Sequence, residues 1–313
     1  MTSPAGPVGL ISNPGSGHNR DQFGGIRARI DDTPGVHHLV TASVRDIDPA
    51  LDTLADRDVR VLAINGGDGT ASAILGRLLE RGMFDEPPLI ALLPGGTANM
   101  NAGDIGIRGS LQKAVERFCQ WCESAPPGDA QTASRALLRV TLGDSPCAHY
   151  GMFLGAGAVI QGTEYAHEEI HSRGLRDDFS LALGVLRTIW GVLRDDPAFN
   201  RHVRVSIGLE DAPASSHDAL ILVISTLQRL AFGMRPFWAE GPGDVRLTLF
   251  GQGCTRFART FVSIVRGKPS RNAVPASGYQ SHNAAAVHLE LSGKLNLDGE
   301  IIEADGAVQV TAT

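Results

Sequence analysis

Three short glycine turns limit what this chain can fold into. Ser12-Asn13-Pro14-Gly15-Ser16-Gly17 follows the apolar run Val8 to Ile11. Ile64-Asn65-Gly66-Gly67-Asp68-Gly69-Thr70 ends the apolar run Val59 to Ile64, and Leu93-Pro94-Gly95-Gly96-Thr97-Ala98-Asn99 ends Leu89 to Leu93. The second turn leads into a helical pattern, Ala71 to Glu80. Strand, glycine turn, helix is the geometry in which backbone N–H groups and a helix N-terminus face an anion. Glycine lacks the Cβ that would hold the anion away. In an open parallel sheet such exits line one crevice, where the ligands of these sheets bind. Asp68 is then a carboxylate where phosphates approach, a costly placement unless a cation or a proton transfer goes with it.

Residues 8 to 122 alternate apolar strands with helical patterns. The strands are Val8–Ile11, His38–Val40, Val59–Ile64 and Leu89–Leu93; the helices are Gln22–Ile30, Pro49–Ala55, Ala71–Arg81 and Leu111–Cys122. That rhythm predicts βαβ units and a parallel sheet. Asp48-Pro49 reads as a helix cap with proline in the first turn. Ala125-Pro126-Pro127-Gly128-Asp129 breaks the pattern and reads as a linker. Beyond it, Ala136–Leu142, Val203–Leu209, Ala219–Ser225, Val245–Phe250 and Ala286–Leu291 predict an antiparallel β domain, with a helical insertion over Asp177 to Leu193. The expected division is an α/β domain over 1–128 and a β-rich domain over 129–297. Residues 298–313 are a candidate to return to the first domain.

Composition narrows the function classes. A net charge of −6 argues against a nucleic-acid binder. Lysine occurs only at 113, 268 and 294, so a side chain that meets phosphate is expected to be an arginine. The opening residues lack the pattern of a secretory leader, and no apolar run reaches the ~20 residues that span a bilayer. Four cysteines in 313 residues make no disulfide framework. The expected setting is a reducing cytosol.

Asn13-Pro14-Gly15-Ser16-Gly17, Gly66-Gly67-Asp68-Gly69-Thr70, Pro94-Gly95-Gly96-Thr97-Ala98-Asn99 and Asp298-Gly299-Glu300 occur in this order along nearly the whole chain. The set resembles the diacylglycerol kinase catalytic-domain family, lipid kinases that include sphingosine kinases and bacterial lipid kinases. The resemblance implies a parallel α/β domain, a mainly antiparallel β second domain and a nucleotide site in the cleft between them. It implies an ATP-dependent kinase that transfers the γ-phosphate to the hydroxyl of a lipid such as diacylglycerol or a sphingoid base, with Mg²⁺ as cofactor. Asn13, Gly15, Ser16, Gly17, Gly66, Gly67, Gly69, Thr70, Gly95, Gly96, Thr97 and Asn99 would then hold ATP. Asp68 would meet the magnesium or help activate the hydroxyl, and Glu300 would be the general base. Such chemistry is mostly positioning and charge neutralisation. A lipid substrate brings peripheral membrane contact at a cytoplasmic location, and a homodimer is left open.

Several residues also have plainer readings. Asp68 can cap the helix that follows it, and Thr97 and Asn99 suit a helix start. Asp298-Gly299 is a favoured two-residue hairpin turn, which would leave Glu300 exposed. The sequence departs from the family at Met100, where an acidic residue is usual, and at Gly151 to Gly157. In place of the family's metal-binding acidic turn stands Ala239 to Val245, where Glu240 and Asp244 are the only carboxylates that could substitute. Two alternatives follow: an NAD kinase-like or phosphofructokinase-like activity, and a nucleotide- or lipid-binding protein of the same fold with reduced catalysis.

Three other motifs are weighed beside these. His167-Glu168-Glu169-Ile170-His171 has zinc-protease spacing but no third ligand, and reads as a polar surface helix or a lid. Cys119 and Cys122 lack a second pair and read as half-buried helix residues. Phe232, Met234, Phe237 and Trp238, near Arg229 and Arg235, fit either β-domain core or contact with an acyl chain or membrane surface.

Overall fold

The computed structural model describes residues 6–107, 109–124, 131–164, 191, 202–209 and 212–313. The chain divides into two units, Met1–Ser134 and Arg135–Thr313. The histidine motif at 167–171, the linker at 125–129 and nearly all of the insertion at 177–193 lie outside the described residues.

The first unit is built on four parallel strands, β1 (Val8–Ser12), β2 (Val36–Val40), β3 (Val61–Gly66) and β4 (Leu89–Pro94), in the order β2-β1-β3-β4. Successive side chains of β1 serve opposite layers, as the two-residue period of a strand requires. Val8 and Leu10 join the core made with α1 (Asn19–Asp31) and α5 (Leu111–Glu123), through Ile26, Ile30, Val115 and Phe118. Gly9 faces the other way, onto Leu54 of α2 (Ile47–Ala55). Ion pairs tie each helix layer: Arg29 to Glu116 and Glu123, and Arg81 of α3 (Asp68–Arg81) to Asp48 and Asp52. The chain reverses direction across the sheet between β1 and β3, the switch point at which such sheets open a crevice.

Two details of this unit go beyond expectation. Helix α2 starts at Ile47, two residues ahead of Pro49: a 3₁₀ turn, Val44–Asp46, with a Ser43–Asp46 capping box, runs straight into it. A short helix, α4 (Met100–Asp104), follows Asn99 at the end of the third glycine turn, a start that the sequence allows although no periodic pattern marks the helix.

The second unit is a nine-stranded sheet, and every pairing in it is antiparallel, as expected. Its long members are β9 (Ala212–Ser225), β12 (Ala286–Leu297) and β13 (Glu300–Ala312). Strands β5 (Leu138–Leu142), β6 (Ala148–Gly151), β7 (Phe153–Gly157), β8 (Val203–Leu209), β10 (Val245–Gly251) and β11 (Tyr279–Ala284) complete it; residues 158–164 are helical, and helix α6 (Phe257–Val265) follows β10. Leu289, Leu291 and Leu295 alternate inward along β12 to meet Val205, Leu222, Leu247 and Val308. The C-terminal segment does not return to the first unit. It is β13, paired with β12 from end to end and with β5 from Val308 to Ala312, because its alternating apolar residues complete this core.

Candidate functional site

The three glycine turns leave the carboxyl ends of β1, β3 and β4, which are adjacent through the β1–β3 and β3–β4 pairings. They touch one another at main-chain distance. A Cβ on Gly96 would lie 2.3 Å from the Gly67 Cα, and one on Gly17 would lie 2.6 Å from the Thr97 nitrogen. Glycine is required at these places by crowding. At neither residue is φ positive.

Side chains lace the first two turns together. The Asn13 amide donates to Thr70 Oγ1 at 2.9 Å, Ser16 Oγ lies 3.3 Å from the same oxygen, and the Gly67 N–H donates to Ser16 Oγ at 3.2 Å. Asn99 holds the third turn in shape, its amide accepting from Gly96 N–H and donating to Gly96 C=O, each at 2.8 Å. Asn99 sits at φ 46°, a left-handed backbone that asparagine tolerates better than most residues.

Beneath the turns lie asparagines that sequence reasoning did not single out. Asn19 Nδ2 donates to the carbonyls of Asn13 and Asn65, at 2.8 and 3.1 Å. Asn65 Nδ2 donates to Ser12 Oγ at 3.1 Å, and that oxygen lies 2.8 Å from His38 Nε2. Asn19 and Asn65 are fully buried. The readable signal was a polar side chain closing an otherwise apolar strand. The Oδ1 atoms of Asn19 and Asn65, and both amide atoms of buried Asn101, have no hydrogen-bond partner.

Asp68 is 8% exposed, and its two oxygens accept from the backbone N–H groups of Met100 and Asn101, each at 3.0 Å. It therefore caps α4, across from its own turn. Burial pushes its carboxyl above the ordinary range, against the pull of those two donors. Gly67 opens α3 with no side-chain cap, and His18 opens α1 in the same way. Two helices of 14 and 13 residues thus begin at the turns, and helix amino ends favour negative charge, although α1 already donates its Asn19 and Arg20 N–H groups to the Gly95 and Ser16 carbonyls. Gly15, Gly66 and Gly95 shape these loops: a Cβ on Gly66 would strike Thr70, and one on Gly95 the Asn65 and Asn19 amides. Gly69 lies in the first turn of α3.

The second unit holds the fourth motif. Asp298 and Gly299, at φ 48° and 97°, make the two-residue turn between β12 and β13, and Leu297 pairs with Glu300 across it. Asp298 is buried, and its oxygens accept from the N–H groups of Met152 and Phe153 at 2.8 and 3.1 Å. Asn296 Oδ1 accepts from Gly299 N–H at 2.9 Å. The motif thus splits: Asp298 fastens the turn onto the Gly151–Gly157 segment, and Glu300 is left exposed.

Glu240 and Asp244 are exposed, on the turn before β10. Among the described residues no three His, Cys, Asp or Glu side chains gather as a metal cluster. Cys119 and Cys122 are free on α5, and burial pushes the Cys122 thiol up to about 12. Among the described residues, no helix is long and apolar enough to cross a membrane.

The family model for the diacylglycerol kinase catalytic domain matches residues 7–125, the stretch that holds all three glycine turns. Among solved structures, a proposed diacylglycerol kinase from Bacillus anthracis str. Sterne superposes with a TM-score of 0.66 at 16% identity. That match covers 97% of this chain and 94% of the other. A diacylglycerol kinase from the same organism gives 0.62 at 15% identity, with 97% and 93% covered. At that identity the likeness is one of fold. No curated protein sequence matches the chain. Residues 7–125 thus resemble the diacylglycerol kinase catalytic domain, and the chain as a whole shares the fold of these solved structures.

Proposed function

We propose that this protein is an ATP-dependent lipid kinase whose glycine turns hold the phosphates of the nucleotide. One observation supports this above the rest. The turns after β1, β3 and β4 meet at main-chain distance, and two helices open on them without a side-chain cap. Backbone donors and helix ends suit a polyphosphate whichever base it carries.

The residues at the turns fit a metal ion that arrives on the nucleotide. Magnesium keeps several waters and needs only one or two carboxylates beside phosphate oxygens. Each Asp68 oxygen accepts one N–H and has a lone pair to spare. When bound, the ion would neutralise phosphate charge. Asp68 meanwhile fixes the start of α4 and so the shape of the third turn. Glu240 and Asp244 stay outside this reading, since no third ligand stands with them among the described residues. Glu300, exposed beside a turn that Asp298 holds rigid, takes the proton of the lipid hydroxyl as it attacks the γ-phosphate.

The test is transfer of labelled γ-phosphate, with Mg²⁺, to diacylglycerol, a sphingoid base, ceramide and a polyprenol in mixed micelles, with NAD as a soluble acceptor. Wild type is run beside Glu300→Gln. Loss of a general base is expected to lower kcat about 10²- to 10⁴-fold while ATP affinity is kept. Transfer to NAD instead would move the assignment to the NAD kinase-like activity. A second reading, a nucleotide- or lipid-binding protein without catalysis, is favoured by Met100 and by the commitment of Asp68 to backbone donors. Bound ATP with no labelled acceptor would establish that one.

A further inference from the structure

The second unit carries a face unlike the rest of the surface. From Val245 to Leu289 the chain has no carboxylate and six cationic side chains, in a protein of net charge −6. Helix α6 lies in this stretch. Its Phe257 and Phe261 rings pack on Phe250 of β10, with centroids 6.3 and 5.8 Å apart, and Ile264 is buried. Its opposite side therefore looks outward. There Arg259, Val262 and Arg266 recur at helical spacing, all exposed.

A second element is fastened to the end of this helix. The Arg235 N–H donates to Val265 C=O at 2.8 Å, and the turn closed by Leu230 N–H to Met234 C=O presents Phe232 at its tip. Phe232 is 56% exposed, and it is held at φ 57°. Val262 and Val274 are each 41% exposed. The aromatic cluster is thus divided: Phe237 and Trp238 are half-buried, and Phe232 points to solvent.

The cations here are also unspent. Among the described residues, Arg235, Arg256, Arg259, Arg266, Lys268 and Arg271 have no carboxylate within ion-pair distance, and all six are exposed. In the first unit Arg27, Arg29, Arg60, Arg77 and Arg81 are all paired.

We propose that this face docks on an anionic lipid bilayer, with α6 lying among the headgroups and Phe232 entering the acyl boundary. Exposed cations interleaved with an exposed aromatic and exposed aliphatic side chains are what such a surface takes. Valines at 262 and 274 offer nothing for a nucleobase to stack on, which disfavours nucleic acid. A second copy would bring like charges together. The inference goes beyond the kinase reading and stands on charge and exposure alone.

The test is co-sedimentation of the full chain, without ATP, with vesicles of phosphatidylcholine alone or with roughly one third phosphatidylglycerol. Binding is expected to the anionic vesicles only, and to fall as salt rises. With each surface cation contributing about fivefold, Arg259→Glu with Arg266→Glu should weaken partitioning at least 25-fold, and Phe232→Ser about tenfold. All three side chains are exposed, so thermal melts should not move. Equal binding to both vesicles, or retention by the variants, would overturn the proposal. So would tighter binding to duplex DNA, or a dimer that these variants abolish. Vesicle binding without phosphate transfer would sink the kinase reading alone; transfer to a water-soluble short-chain lipid without vesicle binding would sink the docking face alone.

Discussion

Asp68 and Asp298 stand in different units, yet each is 8% exposed and accepts from two consecutive backbone N–H groups. Their surroundings differ. The turn of Asp68 is pressed against a second glycine turn, with Gly96 over Gly67, so the carboxylate organises a crowded cradle. The turn of Asp298 has open space beyond Gly299, and the carboxylate there pins a hairpin tip that carries an exposed Glu300. The same local device therefore serves two ends. In one place it orders crowded backbone, and in the other it steadies a hairpin tip that carries an exposed carboxylate. A glycine beside an aspartate marks a fastened turn; what surrounds it decides what is being fastened.

The largest effect should come from Gly96→Ala. Its new methyl would have to displace the Gly67 main chain, which costs about 3 kcal/mol and should abolish nucleotide binding. Urea unfolding and ATP titration read the two losses. A merely local role for the contact would leave ATP affinity unchanged.

Next are Asp68→Ala and Asp298→Ala. Each strands two N–H groups that now have a carboxyl acceptor, a cost of about 2 kcal/mol. If the comparison holds, the two match in stability and part in function: the first weakens ATP binding, and the second leaves it intact. Equal loss of ATP affinity in both would break the distinction.

Smaller still is Gly299→Ala. Nothing lies within 4 Å of the added Cβ, so only the φ of 97° is strained, at about 1 kcal/mol. A loss as large as that of Gly96→Ala would show that the hairpin tip is crowded too.

The smallest effect is a pH slope. Burial raises the Asp68 carboxyl above 3.8, so the native state keeps a proton that the unfolded chain has released. Its contribution is full below that value and is lost as pH rises through the folded pKa. The urea midpoint of wild type should therefore fall relative to Asp68→Asn as pH climbs from 3.8. A wild-type midpoint that instead rises relative to Asp68→Asn as pH climbs would mean that the two backbone donors outweigh burial.

Much of this was legible in the sequence because the signals were local. Apolar runs ending in glycine located β1, β3 and β4 and the turns beyond them. Helix α4 was legible only at its start: Asn99 suits one, but five residues are too few for a periodic pattern, and the cap comes from Asp68, more than thirty positions earlier. Strand β13 was a candidate for the first unit because only its partners, β12 and β5, decide where it belongs. Asp68 reads from sequence as a cap of the helix that follows it, whereas it caps α4 instead. The exposure of Glu300, also weighed as a plainer reading, is realised. Asn19 and Asn65 escaped notice because a buried amide earns its place through distant carbonyls, which no spacing reveals.

The backbone contact between Gly67 and Gly96 has one more consequence. Where two loops meet with no side chain between them, neither can swing out while the other stays. The second and third turns should open to solvent as one cooperative unit, so their amides would exchange hydrogen at a shared rate, and a molecule bound to either loop would slow exchange in both.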